Sequence, residues 1–96
     1  KEGASFDLPI ALSILSAEGA LDSSSLNDFI FCGELSLDGK LKSVKGILPM
    51  AVSMKNSSIK KMVLPKNNAK EAAVVKEIEV YPAENLVEVV DFKRQN

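Results

Sequence analysis

The chain has 96 residues, a length that permits one compact domain and not two separately buried cores, so we predict a single domain over residues 1–96. Apolar residues make up 46% and charged residues 26% of the chain, which favours a soluble globular domain and excludes a disordered or collagen-like one. Twelve basic and thirteen acidic residues give a net charge of −1, so the overall charge indicates neither a polyanionic partner nor a membrane surface.

Scarce residue types exclude several kinds of site. With no histidine and one cysteine, the chain can form neither an internal disulfide nor a Cys/His zinc site, and Cys32, in an apolar run, is expected in the core. We therefore expect a reducing, cytoplasmic location. No apolar run approaches the roughly 20 residues that cross a bilayer, so no membrane partner is expected. Residues 1–3 do not include a start methionine, and we interpret the chain as a piece of a larger protein.

The predicted elements begin with a helix. Apolar residues recur at helical spacing over residues 8–15, Asp7 is placed to cap the helix, and Gly19 is a natural end for it. The polar, serine-rich run over residues 21–27 predicts a surface loop rather than a catalytic or phosphorylated site.

A strand and a hairpin are predicted next. Residues 29–32 are an apolar run of strand formers, and residues 33–37 alternate between polar and apolar side chains. Asp38 and Gly39 are typical of a hairpin turn, and residues 40–44 alternate again. These residues therefore predict an antiparallel hairpin after a buried strand.

Three helices and two strands are predicted in the rest of the chain. Apolar residues recur at helical spacing from Ile47, and Pro49 fits only in the first turn of that helix. Asn67 or Asn68 is placed to cap the next helix, and Pro82 is expected to stop the last strand. The predicted elements are a helix over about 47–56, a strand over 62–65, a helix to about 76, a strand over 78–81 and a closing helix from 86 that frays into a polar tail over 93–96.

This order of elements predicts an α/β (α+β) fold in two layers. We expect a mixed sheet of about four strands, with helices packed on it and right-handed parallel crossovers in its second half. Such a sheet is small, so we expect an open edge where another part of a larger protein would pair.

Few residues can support catalysis. None of the five glycines begins a phosphate-binding loop, and without histidine no Ser-His-Asp triad can form. The remaining chemistry is a serine activated by a desolvated lysine. Ser5 is the candidate nucleophile, because it lies at the mouth of the first helix, where backbone N–H groups could stabilise an oxyanion. The alternative is that Ser5 only caps that helix.

Two motifs resemble those of Lon-type proteases. Residues 1–5, KEGAS, resemble the Lon segment KDGPS, whose serine is the nucleophile, and residues 33–39, GELSLDG, resemble a second Lon motif that runs on to the catalytic lysine. Counted from Gly33 without a gap, Leu48 stands at the position of that lysine. Because leucine cannot accept a proton, the resemblance implies a vestigial nucleophile position at Ser5 and a lost base position at Leu48.

Two other lysines could substitute for the lost base. Lys45 is one helical turn before Leu48 if the helix already includes it, and Lys42 lies on the returning strand. Gly46 is expected to break the backbone between Lys45 and the helix, so we do not expect Lys45 to restore the dyad.

Longer stretches resemble a more specific family. KEGASFDLPIAL at residues 1–12, FCGELSLDGKLKSVKGILPMA at 31–51, VLPKNNAKEA at 63–72 and IEVYPAENLVEVV at 78–90 resemble the amino-terminal, Lon-protease-like (ChlI-type) domain of the ComM/YifB family. These proteins are Mg-chelatase-like AAA+ ATPases, some of them named as ATP-dependent protease homologues. The resemblance implies a fold like domain 2 of ribosomal protein S5, with further strands upstream of this chain.

The resemblance also implies cofactors and partners. ATP and Mg²⁺ would be bound by the parent protein outside this chain, and the chain itself would hold no cofactor or metal. The implied partners are the protein's own AAA+ module and neighbouring subunits, and DNA without sequence specificity.

Charge is unevenly distributed along the chain. Residues 40–70 contain eight lysines and no acidic residue, so this stretch carries +8 and the remaining residues carry −9, for a total of −1. If the lysines converge they form a basic patch for a phosphate backbone, and the alternative is that they are spread over the surface as solubilising charges. With one arginine and one tyrosine, base reading and stacking are not expected. The candidate DNA-binding residues are Lys40, Lys42, Lys45, Lys55, Lys60, Lys61, Lys66 and Lys70.

These observations favour a non-catalytic accessory domain of a Mg-chelatase-like AAA+ ATPase. The family resemblance implies that it assists oligomerisation and sequence-independent DNA binding in ATP-dependent branch migration. The alternative is a Lon-like Ser-Lys, ATP-dependent peptidase domain with Ser5 as nucleophile. A third interpretation, a partner in porphyrin metal insertion, rests only on the superfamily name, since the sequence shows no metal-ligand cluster.

Overall fold

The structure, a computed structural model, describes residues 6–95, so Ser5 and the rest of the KEGAS motif lie outside the described residues. The elements follow the predicted order. The helices are α1 (Asp7–Ala17), α2 (Ile47–Met54), α3 (Ala69–Ala72) and α4 (Leu86–Gln95), and the strands are β1 (Phe29–Phe31), β2 (Glu34–Leu35), β3 (Leu41–Lys42), β4 (Lys61–Pro65) and β5 (Glu79–Ala83).

The described strands are divided between two sheets. β1, β4 and β5 form a parallel sheet with β4 at its centre, and β2 and β3 pair as a separate antiparallel hairpin. The hairpin and the α/β (α+β) class are therefore confirmed, but two sheets take the place of one mixed sheet of about four strands. The chain leaves the parallel sheet at Gly33, where a Cβ atom would lie 2.7 Å from the Leu41 side chain. Glycine at this position therefore leaves room for the Leu41 side chain of the hairpin to pack against the chain just after β1.

Helices cover both faces of the parallel sheet, so there are three layers rather than the expected two. On one face Met62 and Leu64 pack with the buried residues of α2 and α3, and on the other Val63 packs with those of α1 and α4. The physical reason is that the central strand of a parallel sheet is apolar on both sides and needs cover on both. Cys32 lies in the first of these clusters and is buried, as expected.

Three predicted details at the start of the chain can be compared with the structure. The helix over residues 8–15 is confirmed, with Leu8 and Leu12 buried. Asp7 does not cap α1, because it is the first helical residue and its Oδ2 accepts a hydrogen bond from the Leu35 N–H at 3.1 Å. The serine-rich run predicted as a loop forms a 3₁₀ helix over Ser23–Asp28, since the Asp22 carboxylate accepts from the Ser24 N–H and hydroxyl. These two hydrogen bonds also lower the pKa of Asp22.

The helices of the second half differ from prediction in length. α2 ends at Met54, two residues before the predicted end, and Pro49 lies in its first turn as expected. α3 has four residues and follows a 3₁₀ turn over Lys66–Asn68, whereas a helix to about residue 76 was expected. The chain turns after α3 because Val75 and Ile78 both enter the core beside α2, and this packing overrides the helix propensity of the segment.

Two further predictions near the carboxyl terminus are corrected. β5 runs through Pro82, which pairs with Leu64, and an edge strand tolerates proline because one side of its backbone needs no partner. The predicted polar tail from residue 93 belongs to α4, and Lys93 is buried. No helix among residues 6–95 has the length and apolar character needed to cross a membrane.

Candidate functional site

Leu48, which the resemblance to Lon aligns with the catalytic lysine, is the second residue of α2. Its side chain is 37% exposed, and its backbone N–H donates a hydrogen bond to Oε2 of Glu71 at 3.2 Å. The first turn of α2 is therefore held by a carboxylate, which a helix amino terminus favours through its free N–H groups and its dipole. The side chain at this position is aliphatic, whereas a base that takes a proton from a serine would need an amine here.

A buried amide holds the segment that leads into α2. Asn68 is 4% exposed, its Oδ1 accepts from the Val44 N–H and its Nδ2 donates to the Val44 carbonyl, both at 3.0 Å. Nδ2 also lies 3.4 Å from Oε1 of Glu71. Asn68 does occupy the cap position of α3, but its side chain makes no capping bond there. Asn68 and Glu71 together fix the backbone on both sides of Lys45.

Lys45 and Lys42, the two lysines that could substitute for the base, both lie outside α2. Gly46 stands between Lys45 and the helix with a φ of +83°, a conformation that glycine adopts without strain, and α2 begins only at Ile47. Lys45 and Leu48 therefore do not lie one turn apart on a helix. Lys42 is exposed on β3, and it lines a surface cavity with Lys40.

The structure separates the eight candidate DNA-binding lysines into two groups. One group lies where β4 begins: Lys61 is its first residue, Lys60 precedes it, and the Lys60 Nζ donates to the Lys55 carbonyl. The other group lies where β4 ends. Lys66 follows the strand, Lys40 faces Asn85 across a backbone bridge, and Lys42 lines a cavity with Asn67. The Val44–Asn68 hydrogen bonds join the segments of Lys45 and Lys70 to this end. β4 itself, with four steps of about 3.3 Å, separates the groups by about 13 Å.

A cavity of about 320 Å³ lies beyond the carboxyl ends of β4 and β5, and we call it the carboxyl-end cleft. Its lysines are Lys40 and Lys66, and its one carboxylate is Glu84, whose Oε2 lies 3.2 Å from the Lys66 Nζ. Both members of this ion pair are well exposed, so it contributes at most about 1 kcal/mol. Lys40, Leu41 and Asn67 also line an adjoining cavity of about 690 Å³.

Backbone hydrogen bonds fix the walls of the cleft. The Leu41 N–H donates to the Glu84 carbonyl at 2.9 Å and the Leu86 N–H donates to the Gly39 carbonyl at 2.8 Å, so the hairpin is fastened to the start of α4. Asn85 Oδ1 accepts from the Glu88 N–H at 2.9 Å, and Glu88 Oε1 accepts from the Glu84 N–H at 2.8 Å. This reciprocal cap fixes the backbone that carries Glu84.

The hairpin turn positions Lys40. The Asp38 carboxylate accepts from the Ser36 hydroxyl and, at 3.3 Å, from the Lys40 N–H. The Ser36 hydroxyl, and then the Lys40 N–H, hold the pKa of Asp38 below its usual range. Asp38 is thus engaged in the turn beside the cleft.

Comparison with known proteins now decides the family. Residues 1–68 match the family described as subunit ChlI of Mg-chelatase. The chain belongs to the ChlI Mg-chelatase family. It is 42% identical over 92 residues to the competence protein ComM of Haemophilus influenzae, which is 96% of this chain and 18% of ComM. It is 35% identical over 75 residues to YifB of Escherichia coli K12, 78% of this chain and 15% of YifB. The resemblance to the ComM/YifB family is confirmed.

A more distant relative is a protease. This ChlI-family chain is 28% identical to the archaeal Lon protease of Thermococcus kodakarensis over an alignment 100 residues long, which covers 99% of this chain and 15% of that protein. The similarity supports the Lon-like interpretation of the two motifs. The chain spans less than a fifth of the length of each of these three relatives.

Sequence reasoning missed one charged site in this ChlI-family domain. The Lys93 Nζ lies 3.8 Å from the centre of the Phe29 ring, beside the packed rings of Tyr81 and Phe92. Burial is the main cause that lowers the pKa of Lys93, and the nearby Asp28 charge opposes it. The signal available in the sequence was Phe92 at helical spacing from Val89, which extends the buried face of α4 past residue 90.

Proposed function

We propose that this chain is a non-catalytic, Lon-protease-like accessory domain of a Mg-chelatase-like AAA+ ATPase of the ComM/YifB type. The observation that carries the proposal is Leu48, which the resemblance to Lon aligns with the catalytic lysine, and which lies at the start of α2 with Glu71 bound to its N–H. Without an amine at this position, Ser5 would keep the ordinary acidity of a hydroxyl and attack slowly.

The rival function is a Ser-Lys peptidase, favoured by the similarity to archaeal Lon protease. A fluorophosphonate probe, which forms an adduct with activated serines, separates the two. We expect no adduct on the wild-type chain or on Ser5→Ala, with the archaeal Lon protease as the positive control. An adduct on the wild type that Ser5→Ala abolishes would refute the non-catalytic assignment.

A base-restoring variant sharpens this test. Leu48→Lys places an amine at the half-exposed position beside Glu71, and the fold should tolerate it within about 0.5 kcal/mol because the side chain is near the surface. If the missing base is what silences Ser5, labelling should increase in Leu48→Lys and disappear in the double variant with Ser5→Ala. Labelling equal to that of an active Lon domain in the wild type would contradict the reasoning.

The domain would act in a larger assembly. We propose that it assists oligomerisation and sequence-independent DNA binding in ATP-dependent branch migration, in the cytoplasm, and that ATP and Mg²⁺ are bound outside these 96 residues. Contacts with neighbouring subunits or the AAA+ module are supported by three apolar residues that are each more than half exposed: Ile10 and Ile14, one turn apart on α1, and Phe6, the residue just before that helix. DNA binding is supported by the lysines at the two ends of β4, where Lys40, Lys55 and Lys66 are exposed and Lys60 and Lys61 are partly exposed.

Anisotropy of labelled duplex DNA tests the DNA-binding part. We expect weak binding that is equal for unrelated sequences and falls steeply with salt, because phosphate contacts release counterions. Lys60→Glu and Lys61→Glu should reduce it for all sequences alike. Binding that is unaffected by salt would argue against an electrostatic contact.

A further inference from the structure

The two ends of the parallel sheet differ in their balance of charge. At the amino end, a cavity of about 520 Å³ is lined by Lys60 and Lys61 together with Asp28 and Glu79, so lysines and carboxylates are equal in number. The carboxyl-end cleft holds Lys40 and Lys66 with Glu84 as its one carboxylate. Among the lining residues, lysines therefore outnumber carboxylates in the cleft but not in the amino-end cavity. Two more carboxylates lie beside the cleft, and both accept backbone hydrogen bonds: Asp38 from Lys40 and Glu88 from Glu84.

The position of the cleft also favours an anion. It lies outside the carboxyl ends of two parallel strands, where open α/β sheets bind their ligands. The side chains of Asn67 and Asn85 add amide groups to the lining. Its volume suits a phosphate with part of its sugar better than a whole large cofactor.

We propose that the carboxyl-end cleft binds a phosphate group, contacted by Lys66 and Lys40, with Glu84 as a competing anion that the phosphate displaces from Lys66. The phosphate could come from a DNA backbone or from a free nucleotide, and both offer the same chemistry to the two amines. The proposal rests on the proposed function only in taking DNA as one source of the phosphate.

Two charge variants have opposite predicted effects. Lys66→Gln removes a phosphate contact, so the slope of log affinity for duplex DNA against log salt should become shallower by about 0.9. Glu84→Gln removes the competitor, so affinity should rise about two- to fivefold, the range for an exposed ion pair. Both side chains are exposed, and far-UV circular dichroism checks that the variants are folded.

The chain offers matched controls at the other end of the sheet. Lys76 and Glu77 are exposed in the turn before β5, so Lys76→Gln and Glu77→Gln make the same charge changes away from the cleft. Both should leave the salt slope unchanged. If Lys76→Gln weakens binding as much as Lys66→Gln does, the effect is one of overall charge and the cleft proposal is overturned.

NMR titrations of the 96-residue chain separate the sources of phosphate. Inorganic phosphate, ATP and a short DNA duplex are added in turn, and saturable shifts are expected at the amides of Lys66, Asn67 and Asn85. Shifts with DNA alone, ATP alone or both support the cleft and identify its ligand. No saturable shift there with any probe overturns the cleft, even if DNA binds elsewhere, whereas absence of all DNA binding overturns only the DNA part of the proposed function.

Discussion

Replacing Asn68 by alanine should be one of the most damaging polar substitutions in the described chain. The amide is buried and makes two 3.0 Å hydrogen bonds to the backbone of Val44, on the segment that leads to Leu48. Asn68→Ala removes both bonds and leaves the N–H and carbonyl of a half-buried residue without their partner.

The magnitude follows from these contacts. A hydrogen bond contributes about 0.5–1.5 kcal/mol, and a buried polar group left without a partner costs about 1–3 kcal/mol. Two bonds at a partly buried site therefore predict a loss of about 2–4 kcal/mol in the free energy of unfolding. For a domain of this size that corresponds to a fall of about 10–25 °C in Tm.

Urea unfolding followed by circular dichroism measures the loss as a shift in midpoint at constant slope. Asn67→Ala is the matched control, because Asn67 is adjacent and exposed, and it should change stability by less than about 0.5 kcal/mol. Asn68→Asp keeps the acceptor for Val44 but loses the donor and faces Glu71. It should therefore be destabilising at neutral pH, and less so in acid, where the carboxyl groups take up protons. If Asn68→Ala lowers the free energy of unfolding no more than Asn67→Ala does, the hydrogen bonds between Asn68 and Val44 do not stabilise this segment.

Three more outcomes follow from buried positions. Burial lowers the pKa of Lys93 below its usual 10.5, so between the two pKa values the unfolded chain binds more protons at Lys93 than the folded chain does. The free energy of unfolding of the wild type, measured in urea and compared with that of Lys93→Met, should therefore increase as the pH rises towards 10.5. A difference between the two proteins that stays constant with pH would contradict this. Burial raises the pKa of the Cys32 thiol, so thiol reagents should label it only as fast as the domain opens, and rapid labelling of the native chain would exclude a core position. Gly33→Ala should lower the free energy of unfolding by about 1–3 kcal/mol, because the new methyl group forces the Leu41 side chain to move. In a double-mutant cycle, Leu41→Ala should be less destabilising in the Gly33→Ala background than in the wild type, and additive losses of stability would argue against the contact.

Local sequence patterns predicted the elements well where the pattern and the burial agree. The hairpin around Asp38-Gly39 and the apolar face of α2 follow from turn chemistry and helical periodicity, and both are present. Three layers could have been inferred from residues 62–64, three apolar residues in succession, since a strand with one solvated face alternates. The predicted length of α3 was wrong because helix propensity is a local property, and the turn after α3 depends on the packing of Val75 and Ile78 in the core.

The candidate site was predictable only in part. The resemblance of GELSLDG to a Lon motif identified Leu48 by counting, and the structure adds what holds it: Glu71, which lies 23 residues later and belongs to another helix. Such a contact has no signature in sequence. The buried amide of Asn68 is a similar case. The sequence predicted a helix cap at this residue, whereas in the structure its side chain binds the backbone of Val44, 24 residues away.

The lysine run shows why a charge pattern in sequence does not translate directly into a surface. Between its first and last lysine the chain passes through α2 and then along β4, and a strand of five residues carries the backbone from one end of the sheet to the other. Lys60 and Lys61, at the start of β4, therefore lie at the opposite end of the sheet from Lys66, which follows the strand. Lys40 comes earlier in the run but lies at the carboxyl end, because its backbone bridges to Asn85. The acidic residues beside them come from outside the run: Asp28 and Glu79 at the amino end, and Glu84 and Asp38 at the carboxyl end. The charge around each group of lysines is thus set in part by the segments that pack against the run. This is why Glu84→Gln, a change outside the run that removes the ion-pair partner of Lys66, should strengthen the binding of an anion.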